Sequence, residues 1–561
     1  MVAMTSNPLT AEAMLNAPAW GGKFHPMSLR ESMADDIASR LRQHLGPAAN
    51  LLSDSRNLAS GDGLMARGGK RHSLSQVIDS ALTRGAKAIV IESADESDEL
   101  KVLPSQTIAA TADVLVLSVP KLACRAGMIA SAFYGRPSMT LPVIAVTGTN
   151  GKSTVSAALG YAIARLGEPS AVIGTLGLGR FPAKCAQGFQ PSWDAKATGG
   201  LTTPDSVTLH RLLHELAQDG CRAVVLEASS IGLVQGRLQG LAVKTAAFTN
   251  LSHDHLDLHG TFENYCQAKA LLFEAPTLGT MVVNTDDAYG LAMWQVADRH
   301  VNRWAIGGNP PDDAHASLRA EAARLNRDGL QFELHGVGKA ADLSGPVQLP
   351  VVGHHNIENA LVVASCLMSM KFDPALVREQ LHEFQLPAGR LEMLKPDHAP
   401  WAVIDYAHTP DALAHALKAL REVATQREGQ LICVFGCGGD RDRAKRPLMG
   451  QIAVRDADQV VLTSDNPRHE DAERILDEIA SGIPAALQAK VIRETDRALA
   501  IDRAFEAARP SDIVLVAGKG HEQTQQIGDQ SLTFSDRDHA AAAIDRWTRM
   551  QQHRQGVTAH A

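Results

Sequence analysis

The run Gly148-Thr149-Asn150-Gly151-Lys152-Ser153-Thr154 holds the residue types that grip a polyphosphate. It follows the apolar stretch VIAVTG and opens KSTVSAALGYAIARLG, which reads as a helix. Glycines let backbone N–H groups close on phosphate oxygens, and a helix N-terminus adds positive potential. Lys152 would then reach the outer phosphates, and Ser153 would offer its hydroxyl to Mg²⁺. Two residues separate the glycines, where the standard phosphate loop has four. An ordinary Gly-rich turn is the plain alternative.

Further along, Leu226-Glu227-Ala228-Ser229-Ser230 ends another apolar run and is followed by Gln235 and Arg237. A carboxylate at a strand tip beside a phosphate loop is a natural Mg²⁺ ligand; alone, Glu227 reads equally well as a surface carboxylate. The segment TNLSHDHLDLHG sets His253, His255 and His259 among Asp254 and Asp257. That invites zinc, but a phosphate loop calls for a hard cation with oxygen ligands, and no cysteine belongs to the cluster. A solvated loop is the other reading. Lys269, in YCQAKALLF, has by spacing alone the look of a snorkelling surface lysine.

These residues need strand ends to hold them. AVIGTLG and CRAVVLEASS read as strands with the helix LHRLLHELAQDG between them, so the block from Pro142 alternates β and α. That pattern implies a parallel, doubly wound sheet. WAVIDYAH, QLICVFGCGG, ADQVVLTSD and DIVLVAGKG form a second such set from about Pro387, each ending in a polar or Gly-rich loop. Ligands bind at such carboxyl ends. Ahead of both, LLSDSR, SQVIDSALTRGAKAIVIE and TADVLVLSVP make a smaller α/β unit. Residues 316–349 look strand-rich, as a small sheet at the edge of the central block. Residues 180–200 read as an exposed loop, and the first 25 or so residues and the tail from Arg549 as loose ends.

Composition agrees with this plan. At about 150 residues per domain, 561 residues predict three or four domains. The chain is 45% hydrophobic and 21% charged, as in globular proteins, which excludes a disordered chain or a small disulfide scaffold. A net charge of -8 argues against non-specific nucleic-acid binding. The seven cysteines are scattered and odd in number, which fits a reducing compartment such as the cytoplasm. The first residues lack a signal-peptide pattern, and no stretch reaches about 20 uninterrupted apolar residues, so no membrane span is expected.

Taken together and in order, GTNGKST, LTTPD, LEASS…QGR, TNLSHDHLDLHG, YCQAKALLF, VNTDD, GHHNIEN, GRLE, DYAHTPDAL, FGCGGDRDRAKRPLMG, DNPR and AGKGHE resemble the Mur ligases of peptidoglycan precursor synthesis. Within that family the likeness is to the members that add meso-2,6-diaminopimelate to UDP-N-acetylmuramoyl-L-alanyl-D-glutamate. It covers nearly the whole chain from about Asn50.

The resemblance implies an α/β fold of three domains. These are an N-terminal UDP-binding domain (1–140), a central P-loop-type ATPase domain with a parallel sheet (141–386) and a C-terminal Rossmann-like domain (387–561). It implies a cytoplasmic, monomeric enzyme that uses ATP to make an acyl phosphate on the glutamate side-chain carboxyl, which the diaminopimelate amine then attacks. Gly148, Thr149, Asn150, Gly151, Lys152, Ser153 and Thr154, with Asn356, Arg390 and Asp405, would contact ATP. Ser55, Thr202, Thr203, Ser229, Gln235 and Arg237 would hold the nucleotide-sugar peptide. Lys269 matches the family's carbamylated lysine; CO₂ turns its ammonium into a carboxylate-like Mg²⁺ ligand alongside Ser153, Glu227 and His255. With Lys152, the residues Lys269, His255 and Glu227 form the expected catalytic group.

Diaminopimelate differs from lysine by a distal carboxylate, and a guanidinium can grip it with two parallel hydrogen bonds. Arg468 in Asp465-Asn466-Pro467-Arg468 would do so, with Glu522 on the distal ammonium and Arg441 and Gly518 completing the pocket. A surface turn with a solvated arginine is the plain reading of DNPR alone. Ile231 and His253 depart from the family's usual His and Arg. Two alternatives stand: a lysine-adding ligase of the same fold, and a nucleotide-dependent switch that hydrolyses ATP without ligation. The base that deprotonates the amine is not identified by the sequence; His255 and Asp405 are candidates.

Overall fold

The computed structural model describes residues 31–66, 73–93, 100–108, 113–252 and 254–558. Three open sheets follow one another along the chain. The first runs Leu51–Leu52, Gly63–Ala66, Ala88–Glu92, Leu115–Val119 and Lys101–Leu103 in spatial order, parallel except for the last strand. Helices Glu31–Leu45 and Leu122–Phe133 pack on one of its faces, burying Ile37, Leu41, Ile129 and Phe133.

The central sheet has ten strands. Its middle strand, Val143–Thr147, lies between Thr245–Phe248 and Ala223–Glu227, all parallel. All five of its residues are buried, so it needs cover on both faces. Helices Lys152–Arg165 and His355–Ser369 supply one cover through Val155, Leu159, Ile163, Leu361 and Leu367. Ser206–Gln218 and Phe262–Ala270 supply the other through Leu209, Leu213, Tyr265 and Cys266. After Val143–Thr147 the chain goes first to one side of the sheet and later to the other. Its carboxyl end is therefore the crevice where doubly wound sheets bind ligands, and the Gly148–Thr154 turn leaves from that end.

Residues 316–349 form antiparallel strands, as expected in kind, but they extend the central sheet at its edge instead of making a separate one. Most of the 180–200 segment is an exposed loop, as expected, but it is anchored at several points. Phe189 and Trp193 pack edge-on against Phe181, with ring centroids 6.0 and 6.2 Å away, and Arg165 and Gln385 hold its backbone at Cys185 and Phe189. Aromatic spacing in a polar stretch carries no period, so composition hid this anchorage.

The third sheet orders Glu392–Leu394, Trp401–Asp405, Ile513–Ala517, Leu431–Phe435, Gln459–Leu462 and Val491–Arg493. All pairs are parallel except the first. A hairpin, Thr524–Ile527 with Gln530–Thr533, follows. The closing helix Asp536–Thr558 continues through the tail expected to be loose from Arg549; the first 25 residues lie outside the described part. Among the described residues no helix is long and apolar enough to cross a membrane.

Candidate active site

The phosphate loop closes against the end of the neighbouring strand. Gly148 has φ 149°, and a Cβ there would sit 1.9 Å from Thr249 Oγ1. Gly151, at φ 85°, begins the helix, and its Cβ would meet Asn359 Oδ1 at 2.4 Å. No side chain fits at either place. Lys152 Nζ donates to the carbonyls of Gly148 and Thr149, both at 2.8 Å. Lys269 Nζ donates to the same Gly148 carbonyl at 2.8 Å and lies 4.5 Å from the centre of the Tyr265 ring. Lys269 is 1% exposed, so it is no snorkelling surface lysine. Burial lowers the pKa of both amines; for Lys269 the shift is large and the nearby Lys152 adds to it, while Asp254 opposes it.

Glu227 is 1% exposed. Its carboxylate accepts from Ser153 Oγ at 3.1 Å, Thr175 Oγ1 at 2.9 Å and the Thr175 amide at 3.1 Å. Among the described residues it has no ion pair. A buried carboxylate held only by hydroxyl and amide donors, next to a serine hydroxyl, suits a hard cation such as Mg²⁺. Arg390 Nη2 also donates to Ser153 Oγ, at 3.2 Å.

His255 has φ 54° and a half-exposed ring, with Nε2 3.4 Å from Asp254 Oδ2. Burial disfavours the Asp254 anion, but His255, His408 and Lys152 together hold its carboxyl below the usual range. His259 turns to Ser230 Oγ at 3.0 Å, and among the described residues no group of three His, Cys, Asp or Glu could hold a metal. His253 lies outside the described residues.

The opposite wall belongs to the third sheet and the turn that leads into it. Asp405 takes amide hydrogen bonds from Leu391 at 2.7 Å and Ala407 at 2.8 Å, so it fastens the Arg390 turn to its own strand end; burial raises its pKa despite Arg390. Arg390 lies 4.6 Å over the Tyr406 ring. Asn356 is spent on the Val352 carbonyl and on Asn359, both within 3 Å, and is 2% exposed. Asn150 Nδ2 and Ser252 Oγ both donate to Asp411 of the third unit, at 2.9 and 3.0 Å. The space between the walls is a cleft of about 240 Å³, lined by Thr149 to Thr154, Thr202, Ser229, His255, Lys269, Asn356, Arg390 and Asp405 among others.

The remaining predicted residues fall in two other places. Thr203, fully buried, bonds the Glu227 carbonyl and Ser229; Arg237 holds the Thr203 carbonyl at 2.6 Å and Gln235. They brace the cleft's rim and do not line it. Ser55 lies in the first unit, bonded to Ser80 Oγ at 3.2 Å, apart from the cleft.

The residues expected to hold the diamino acid gather at the carboxyl ends of the third sheet. A Cβ on Gly438 would lie 2.9 Å from Arg468 Nη1 and 3.7 Å from Arg441 Cγ. A Cβ on Gly439 would lie 1.9 Å from the Pro467 carbonyl oxygen, and one on Gly518 2.6 Å from Asp465 Oδ2. Arg468 Nη1 donates to the Gly439 carbonyl at 2.7 Å. Glu522 Oε2 accepts from Asn466 Nδ2 at 2.9 Å and from the fully buried Lys519 at 2.8 Å.

Comparison with known proteins agrees with this geometry. Residues 146–367 match the Mur ligase middle domain and 389–520 the Mur ligase glutamate ligase domain. A UDP-N-acetylmuramoyl-L-alanyl-D-glutamate--2,6-diaminopimelate ligase from Janthinobacterium sp. (strain Marseille) is 41% identical over 510 residues, 90% of this chain and 96% of that protein. The chain belongs to the Mur ligase family. A relative of the same name from Ralstonia nicotianae is 41% identical over 92% of this chain and 98% of its own length. A solved ligase of that name, 32% identical, superposes with a TM-score of 0.57 over 89% of this Mur ligase and 94% of its own chain. The UDP-N-acetylmuramoylalanyl-D-glutamyl-2,6-diaminopimelate--D-alanyl-D-alanyl ligase from Acinetobacter baumannii shares the fold at 18% identity and TM-score 0.59.

Several residues of this Mur ligase's site escaped the sequence reading. Tyr265 bonds Thr149 at 3.0 Å beneath the loop, and Thr175 holds Glu227. Arg446, fully buried, bonds Glu470 at 3.0 Å and the Gly438 carbonyl at 3.1 Å, joining the two loops that carry Arg441 and Arg468. It stands in the FGCGGDRDRAKRPLMG motif, from which only Arg441 was expected to act. Tyr406 and His408 flank Asp405 in a quoted motif from which only the aspartate was selected.

Proposed function

We propose that this Mur ligase joins meso-2,6-diaminopimelate to UDP-N-acetylmuramoyl-L-alanyl-D-glutamate, cleaving ATP to ADP and phosphate through an acyl phosphate. It acts as a cytoplasmic monomer divided at about residues 140 and 386. The observation that carries the reading is the pairing of two groups of residues: a phosphate cleft with two desolvated lysines, and a third-unit cluster with Arg468 and Arg441 beside Gly438 and Asn466 bonded to Glu522. The names of the relatives support the substrates.

Lys152 leaves its loop carbonyls for the outer phosphates of ATP. Arg390 steadies the same phosphates, and the loop amides neutralise charge as the glutamate carboxylate attacks the γ-phosphate. Ser153, Glu227, His255 and the carbamate of Lys269 would hold Mg²⁺, which when bound supplies further charge neutralisation for the phosphates. A desolvated, neutral amine is the form that adds CO₂, which favours the carbamate at Lys269. Asn356 adds a contact to ATP from the cleft lining, and Asp405 keeps the Arg390 turn in place. Thr202, Thr203, Ser229, Gln235 and Arg237 orient the peptide acid, and Ser55 marks the uridine end. Arg468 pairs the distal carboxylate of diaminopimelate, and Glu522 its distal ammonium, with Arg441, Asp465, Pro467 and Gly518 shaping the pocket.

ADP release measured with diaminopimelate against L-lysine, each with the UDP-linked dipeptide, tests the reading. Turnover dependent on all three reactants and faster with diaminopimelate is expected. Faster turnover with lysine rejects the pocket assignment, and ATP turnover independent of the other two reactants rejects ligation.

A further inference from the structure

We propose that His408 is the base that takes the proton from the attacking amine, an assignment that rests on the ligase reading above. His408 stands three residues past Asp405, on the segment that forms the third-unit wall of the cleft. Its Nδ1 is 2.8 Å from the Tyr406 carbonyl. A carbonyl only accepts, so Nδ1 carries the ring proton and Nε2 a lone pair. Nε2 has no hydrogen bond from any described residue, and it is not among the sealed, unpartnered atoms of the interior. The half-buried ring lines the cleft, so this lone pair opens into the space shared with Lys152, Ser153 and Lys269.

Position favours the role. The Tyr406 ring lies 4.7 Å from His408 on one side and 5.3 Å from His521 on the other. Glu522, Asp465 and Arg441 all act electrostatically on Tyr406. Tyr406, which lines the cleft, thus links the residues assigned to the diamino acid with His408. Burial, more than the surrounding charges, keeps the His408 ring neutral. Burial lowers its pKa to about 4, helped by Lys445 and Arg390 and opposed by Asp254 and the Tyr406 carbonyl. Lys445 is itself fixed to the His408 carbonyl at 2.8 Å. The other two candidates are worse placed. Asp405 has its oxygens on backbone amides, and the His255 ring is half exposed next to Asp254.

Before the attack the ammonium of diaminopimelate gives one proton to His408 Nε2, leaving the neutral amine. The amine nitrogen then forms a bond to the acyl-phosphate carbonyl carbon, the carbon–oxygen bond to phosphate breaks, and phosphate leaves with the electron pair and takes up the second N–H proton. The imidazolium returns its proton to water.

Hydroxylamine, largely unprotonated at neutral pH, needs no such base and intercepts acyl phosphates as hydroxamates. The test compares His408→Asn with the parent enzyme, using diaminopimelate and hydroxylamine as competing nucleophiles. Asn keeps a donor for the Tyr406 carbonyl and removes Nε2; His408→Gln is the second variant should the first fold poorly. We expect diaminopimelate ligation to fall by about 10²-fold or more, at least tenfold beyond any loss of hydroxamate. We also expect the residual ligation to rise with pH as the amine deprotonates in solution. Equal losses with both nucleophiles, or ligation near the parent rate, overturn the assignment. A parent enzyme that makes no ATP-dependent hydroxamate and no amide instead overturns the ligase reading itself.

Discussion

In the central cleft, Lys152 and Lys269 crowd one carbonyl, and Glu227 is buried with no cation paired to it. In the third-unit scaffold the same kinds of residue are matched. Arg446 meets Glu470 and Glu478, and Arg497 meets Asp536 with neither side chain exposed. The difference separates charge awaiting a ligand from charge that holds a framework. Unmatched cations and carboxylate are tolerable where polyphosphate and Mg²⁺ complete the set, since isolated buried charges are otherwise costly. Arg468 and Arg441 of the third unit, which the proposed reading sets on an incoming carboxylate, have no ion pair among the described residues.

The sharpest way to break this contrast is at Lys269. Lys269→Ala should reduce ligation by about 10³-fold or more while thermal unfolding stays near the parent value. Near-parent ligation would remove the lysine from the machinery. Arg497 should behave in the reverse manner. Arg497→Met strands Asp536 and loosens the Ser464 and Ala517 carbonyls it holds. Denaturant unfolding should then show a loss of about 3–5 kcal/mol, and an unchanged midpoint would deny it a framework role. Arg468→Ala should lose about 2–5 kcal/mol of the preference for diaminopimelate over lysine, read as the ratio of kcat/KM values; an unchanged ratio puts the selectivity elsewhere.

The smallest effect is in acid. Hydrogen bonds from Arg446, opposed by burial and aided by the Asp440 amide and Arg443, hold the Glu470 carboxyl down at about 2, against an ordinary 4.5. A depressed carboxyl pKa contributes stability that is complete above the unfolded value and lost as pH falls towards the folded one. Unfolding free energy should therefore drop between about pH 4.5 and 2, and Glu470→Gln should flatten that drop. An identical acid limb in the variant would assign it to other groups.

Much of this was legible because the cleft uses contiguous signals. VIAVTG followed by GKST gives strand, turn and helix in order, and Val143–Thr147 and Lys152–Arg165 are where they were expected. Glu227 at a strand tip was readable for the same reason. The burial of Lys269 was not, because a nine-residue helix with a lysine near its end has no period that reveals which side is covered. Arg446 was obscured by its charged neighbours; only a tertiary contact separates it from Arg443. His408 needed the Tyr406 carbonyl and the position of the cleft to acquire a direction.

The central claim is that the peptide carboxyl and the γ-phosphate of ATP meet in the Lys152–Lys269 cleft. It is tested most directly by labelling the glutamate side-chain carboxyl of the UDP-linked dipeptide with oxygen-18 and weighing the phosphate released during ligation. The account predicts one labelled oxygen in each phosphate, carried over when the amide forms. Unlabelled phosphate released alongside a normal yield of amide would contradict it.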